Sequence, residues 1–274
     1  MMLNGKNAIA LLMGLFWSVG ISLSAVAQVG LFEKVADWQP TGVEKLAGSV
    51  TYDDGVYTLQ GSGSDIAGSA DQGFYVYKEV SGDWSLQAKF RWVDAEQAYA
   101  RCGLMIRGKG EDVSSANYFA SIRNELITTW AGYRTADGGT TNWYQYLNDQ
   151  GEAFASPQEG LWVRMTRQSA TNLLVIELSP DGQAWTPVHT LTLTLPDPVT
   201  CGLAIESHTT DSLAVAEVSD VSLRTAPALV TRSFSVEDYV EGESFQVNLQ
   251  LINSSEQTAS VTVVDRPPSG WAVE

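Results

Sequence analysis

Arg107, Trp130, Arg134, Trp143, Tyr146, Glu206 and His208 are the side chains in this sequence whose types suit a polar, ring-shaped ligand. Indole and phenol rings stack on the C–H face of a pyranose. Guanidinium, carboxylate and imidazole groups hold hydroxyls by hydrogen bonds. The amides of Asn142 and Gln145 interleave with Trp143, Tyr144 and Tyr146, and Gly132 follows Trp130 on the same face of an extended segment. A glycine there leaves room for a ligand to come close to the backbone. The competing reading is ordinary packing. Trp130 and Tyr146 would lie under a loop, and an arginine–glutamate pair would balance charge on a half-exposed sheet.

Other chemistries find less support. The sequence holds two histidines, His189 and His208, and lacks G-x-S-x-G, H-E-x-x-H and a phosphate-binding glycine loop opening a helix. Glycoside hydrolysis asks for two carboxyl groups flanking the scissile bond. No strand carries closely spaced acids: Glu177 is isolated among apolar residues, and Glu206 has His208 for a neighbour. An enzyme would have to use Glu206 with Arg107 or His208, or gather acids from separate strands. Asp65 and Asp71, in the Gly61–Gly73 loop, are oxygen donors of the kind calcium takes. Their spacing matches no calcium loop, and an aspartate among Gly and Ser commonly caps its own turn. No other cofactor is expected.

These residues need rigid elements to hold them, and the sequence reads as short antiparallel strands. Phe74–Tyr77 and Trp84–Trp92 alternate about a Ser81-Gly82-Asp83 turn, and Val50–Tyr52 and Val56–Leu59 flank Asp53-Asp54-Gly55. Along Gly103–Arg107, Leu104 and Ile106 point inward while Gly103, Met105 and Arg107 point outward. Along Gly202–His208, Leu203, Ile205 and Ser207 point inward, leaving Ala204, Glu206 and His208 outside. Further strands fall at Tyr118–Ile122, Leu126–Thr135, Asn142–Tyr146, Trp162–Arg167, Leu173–Leu178, Val188–Leu195 and Ala214–Leu223. Ser179-Pro180-Asp181-Gly182 is a turn by composition, so Asp181 is scaffolding. Cys102 and Cys201 each precede a Gly-Leu pair. They are either a disulfide between neighbouring strands or two buried thiols.

Gly61-Ser62-Gly63-Ser64-Asp65-Ile66, Ala70-Asp71, Gly103-Leu104-Met105-Ile106-Arg107, Ser179–Trp185 and Gly202–His208 together resemble a module of the concanavalin A-like lectin/glucanase superfamily found in secreted bacterial proteins. The turn and Trp185 also resemble a shortened aspartate-box hairpin of sialidases. The resemblance implies a jelly-roll sandwich of two antiparallel sheets over residues 28–226. Residues 227–274 resemble the first half of an immunoglobulin-like module, too short for the roughly 100 residues such a sandwich needs. Residues 1–27 have the apolar run and Ala25-Val26-Ala27 ending of an export signal. The chain is acidic, with 16 Lys+Arg against 32 Asp+Glu and a net charge of −16, which argues against nucleic acid and anionic membranes as partners. The expectation is a secreted or cell-surface, non-catalytic module that binds carbohydrate within a larger protein. A glycoside hydrolase or lyase of the same fold and a structural or adhesion spacer are the alternatives.

Overall fold

The computed structural model describes residues 28–39, 46–124, 129–146, 159–225, 229–234 and 247–252. The expected signal segment 1–27 and most of the expected immunoglobulin-like segment 227–274 lie outside them. The described residues are all-β: Lys34–Trp38 (β1), Ser49–Asp53 (β2), Val56–Gly63 (β3), Gly73–Val80 (β4), Trp84–Asp94 (β5), Arg101–Arg107 (β6), Asn117–Arg123 (β7), Thr129–Arg134 (β8), Asn142–Tyr146 (β9), Leu161–Gln168 (β10), Leu173–Ser179 (β11), Thr186–Thr192 (β12), Val199–Glu206 (β13), Thr209–Thr225 (β14), Leu229–Phe234 (β15) and Val247–Ile252 (β16). The last two form a separate two-stranded sheet.

Two seven-stranded antiparallel sheets make the sandwich. One, the front sheet, runs β1-β4-β13-β6-β7-β8-β9, and the other, the back sheet, runs β12-β11-β10-β5-β14-β3-β2. This is a jelly-roll sandwich of two antiparallel sheets, the fold that the resemblance implied. Between the sheets lie Leu104 and Ile106 of β6, Leu203 and Ile205 of β13, Leu86, Ala88 and Phe90 of β5, and Val163 and Met165 of β10, all essentially out of water. Each alternates with a residue on the outer face, so burying one side of a pleated strand fixes its register.

β1 adds to the front sheet beside β4 as its edge strand. The turn at Asp181 is scaffolding. Its Oδ1 accepts from the Ser179 hydroxyl and from the backbone N–H groups of Gln183 and Ala184. At the opposite edge, between β9 and β12, the gap is plugged by rings. His189 stacks on Tyr144 at 4.6 Å and shares a hydrogen bond with Tyr118, whose hydroxyl also lies 3.2 Å from that of Tyr146. Burial lowers the His189 pKa and raises those of Tyr118 and Tyr146.

Cys102 and Cys201 are free, buried thiols. Their strands β6 and β13 are neighbours, but antiparallel, so the equivalent starts lie at opposite ends. Cys201 faces Ile106 and Cys102 faces Ile205, a four-residue offset. At about 3.3 Å per residue the two are roughly 13 Å apart along the strands, well beyond the ~7 Å Cα limit for a bridge.

Candidate functional site

The residues expected to bind ligand map to the outer face of the front sheet, except Tyr146 and His208, the latter lying in the connection between β13 and β14. Trp130, Gly132 and Arg134 of β8, Trp143 of β9, Arg107 of β6 and Glu206 of β13 share that face. Tyr146 does not: three residues after Trp143 it falls on the opposite side of the pleat and is 2% exposed within the core. Outward also proves different from accessible. Two connecting loops, Ser64–Gln72 and Gly108–Ala116, lie across the middle of the face. Their backbones join at Asp71 N to Val113 O (2.9 Å), and Thr141 N reaches Gly68 O (2.9 Å). Beneath them Ile66, Tyr75, Tyr77, Met105, Phe119, Ala204 and Trp38 form a second, smaller apolar core.

Asp71 fastens this cover. Its carboxylate is fully buried and accepts hydrogen bonds from Arg107, from Arg134 Nη2 at 2.6 Å and Nη1 at 3.2 Å, and from the Asn117 amide at 3.0 Å. Arg134 also donates to the Gly68, Val113 and Ser115 carbonyls, and Arg107 lies over the Trp38 ring. Arg107 and Arg134 are 0% exposed. They hold the loops to the sheet and are unavailable to a ligand. The expected Arg107–Glu206 neighbourhood fails for reasons of register. Arg107 faces Thr200 and Glu206 faces Arg101, so the two stand about 20 Å apart along the ladder.

The other end of the face is different. Arg101, on β6, is the actual partner of Glu206 (3.3 Å) and also bonds Asp65. Glu206 accepts the backbone N–H of His208, which adopts a left-handed φ of +59°. Burial pushes the Glu206 carboxyl well above its ordinary pKa, and the same cause lowers the His208 imidazole. Facing Arg101 across the ladder is Arg123 of β7. Trp143 lies flat over Gly132: a Cβ there would come within 2.8 Å of the indole carbons. The room expected for a ligand at Gly132 is therefore filled by Trp143. Arg101 stacks on that indole at 4.3 Å, and Arg123 stacks on Trp130 at 4.3 Å and on Tyr99 at 4.7 Å. The two indoles meet edge to face at 6.4 Å. Trp130, Trp143, Arg123, Asp65 and His208 are half-buried; Tyr99 and Gln145 are exposed.

Calcium does not fit the aspartates. Asp71 spends its oxygens on two guanidiniums, and Asp65 bonds Arg101. Asp65 instead groups with Glu206 and His208, whose donor atoms lie within 4.8 Å of one another. An imidazole is a poor calcium ligand, and Arg101 already sits between the two acids.

Sequence reasoning missed Arg101, Arg123 and Tyr99. The signal for the two arginines was there: carrying the alternation two residues back from Gly103, and one residue on from Ile122, places both on the outward face.

No protein-family model and no curated protein sequence matches the chain. Among solved structures, a functionally unknown protein from Saccharomyces cerevisiae aligns with TM-score 0.53 and 16% identity, over 70% of this chain and 96% of its own. The carbohydrate binding module CBM66 from Bacillus subtilis aligns with TM-score 0.45 and 11% identity, over 66% and 94%. A legume lectin-like domain from Entamoeba histolytica aligns with TM-score 0.44 and 12% identity, over 65% and 88%. At such identities the likeness of the first establishes the fold class, a two-sheet jelly roll, and nothing finer.

Proposed function

We propose that this chain is an exported, non-catalytic carbohydrate-binding module of a larger extracellular or cell-surface protein, with its ligand at the Trp130–Trp143 end of the front sheet. The observation that carries the reading is the half-buried indole pair set among Tyr99, Arg101, Arg123, Asp65 and Gln145. Ring surfaces held by stacked guanidiniums cost little entropy to present. The flanking charged and amide groups supply the hydrogen bonds that orient hydroxyls. The rest of the face is sealed, so the site is a rim and not a groove along the sheet.

The test is a glycan array probed with the full chain, with Trp130→Ala and Trp143→Ala as site variants. Trp185→Ala, on the back sheet where its ring stacks with Arg164, serves as control. Saturable binding lost in both site variants and kept in the control is expected. No polysaccharide binding by a correctly folded chain would overturn the proposal.

One observation favours a second reading, glycoside hydrolysis. Asp65 and Glu206 have carboxylate oxygens within 4.8 Å, close to the roughly 5–5.5 Å separation of retaining enzymes. The raised Glu206 pKa suits a general acid. Against it, Arg101 is shared by both acids and Glu206 is 0% exposed. Release of reducing ends from a polysaccharide, abolished by Glu206→Gln, would move the assignment to the enzyme.

A further inference from the structure

The arginines of the sandwich divide by what answers their charge. Arg91, Arg107, Arg134, Arg164 and Arg167 each meet a carboxylate, and so does Arg101. Arg224, exposed near the end of β14, does not, and neither does the half-buried Arg123: among the described residues Arg123 donates no hydrogen bond and joins no ion pair. Its Nε is buried without an acceptor, and the same holds for Nε of Arg101, whose side chain is 4% exposed. These two are direct cross-strand partners. Like charges at opposed positions repel each other, and burial together with Arg101 lowers the Arg123 pKa. What holds Arg123 in place is aromatic. Its guanidinium lies against Trp130 at 4.3 Å and Tyr99 at 4.7 Å, contacts that fix the plane of the group without using an N–H. Nearby acid does not make up the deficit. Asp65 and Glu206 bond Arg101, and Glu206 is held toward its neutral form by burial.

A planar fork of donors, oriented by rings and left without an acceptor, is matched by an anion with paired oxygens. We infer that the sugar taken at this rim is acidic, its carboxylate or sulfate ester received by Arg123 with Arg101 behind it, while the exposed Tyr99 and the edge of Trp143 border the ring. The inference rests on the glycan-binding reading above and narrows it. With a net charge of −16 the chain has no general attraction for polyanions. Binding should therefore be saturable and should depend on this one arginine.

Oligogalacturonate and its methyl ester give a matched pair that differs in the charge and one methyl group per residue, and sulfated and unsulfated dextran oligosaccharides give a second pair. Titrated against the full chain by calorimetry, an acidic member is expected to bind at least tenfold more tightly than its neutral counterpart. Whichever pair shows this identifies the anion as carboxylate or sulfate. Arg123→Met should bring the acidic ligand to the level of the neutral one, and Arg123→Lys, which keeps the charge but not the fork, should recover only part of the difference. Equal binding of charged and neutral members, or discrimination that survives Arg123→Met, would overturn the inference and leave the glycan-binding reading standing. Absence of binding to every saccharide by a folded chain would overturn both.

Discussion

Replacing Asp71 with asparagine tests the sealing of the front face most directly. The side chain keeps its shape and loses its charge, leaving Arg107 and Arg134 buried with uncharged partners only. Breaking a buried, hydrogen-bonded ion pair by removing one partner costs about 3–5 kcal/mol. A domain of this size holds about 5–15 kcal/mol in total, so the loss is a large share of its stability. Near the melting midpoint about 1 kcal/mol corresponds to roughly 2–4 °C for 150–250 residues, which puts the expected fall near 6–20 °C. Urea unfolding of the full chain, followed by tryptophan fluorescence, measures it. Trp38, stacked on Arg107, should report the disturbance early. Combining Asp71→Asn with Arg107→Met should cost less than the sum of the two changes, because the second removes a charge the first has stranded. A loss below about 1 kcal/mol, or strict additivity in the double variant, would refute the claim that Asp71 fastens the cover.

The remaining predictions concern the rim and the edge plug. Gly132→Ala puts a methyl within 2.8 Å of the Trp143 ring; it should cost about 1–3 kcal/mol as overpacking and weaken glycan binding several-fold. Unchanged binding would mean that the indole does not meet the sugar. Glu206 has a folded-state pKa raised by burial, so its contribution to stability is fully present below the ordinary carboxyl pKa and is lost as pH rises through the folded value. Glu206→Gln should remove that decline, seen as a pH-dependent difference from the wild type in denaturant midpoint. His189 has the opposite sign: its pKa is lowered, so stability is present above about pH 6.5 and is lost as pH falls through the folded value. His189→Gln should flatten part of this acid-side slope, and a slope wholly unchanged would show that the imidazole does not titrate in the plug.

Much of the architecture was readable because alternation is a local property. Leu104, Ile106, Leu203 and Ile205 had to face one way, and the structure puts them there. What lies over the other face depends on two loops distant in sequence, and composition does not say where a loop will lie. Arg107 and Arg134 were therefore correctly pointed outward and yet are sealed in. Strand pairing was equally out of reach. Nothing in the sequence of β6 or β13 says whether Glu206 will oppose Arg107 or Arg101, and the same ignorance left the cysteines open. Gly132 shows a third limit: a missing Cβ makes room, but the sequence does not say that Trp143 takes it. Strand ends, not strand centres, hid Arg101 and Arg123.

The separation of Cys102 from Cys201 has a practical corollary. Each sulfur is enclosed on both sides, one pushed well above the usual thiol pKa and the other up to about 12, so alkylating reagents should find neither while the sandwich is closed. Each then becomes a clock for opening: the rate at which a thiol-specific label is taken up at several reagent concentrations reads out how often the two layers part, without any probe having to be engineered in.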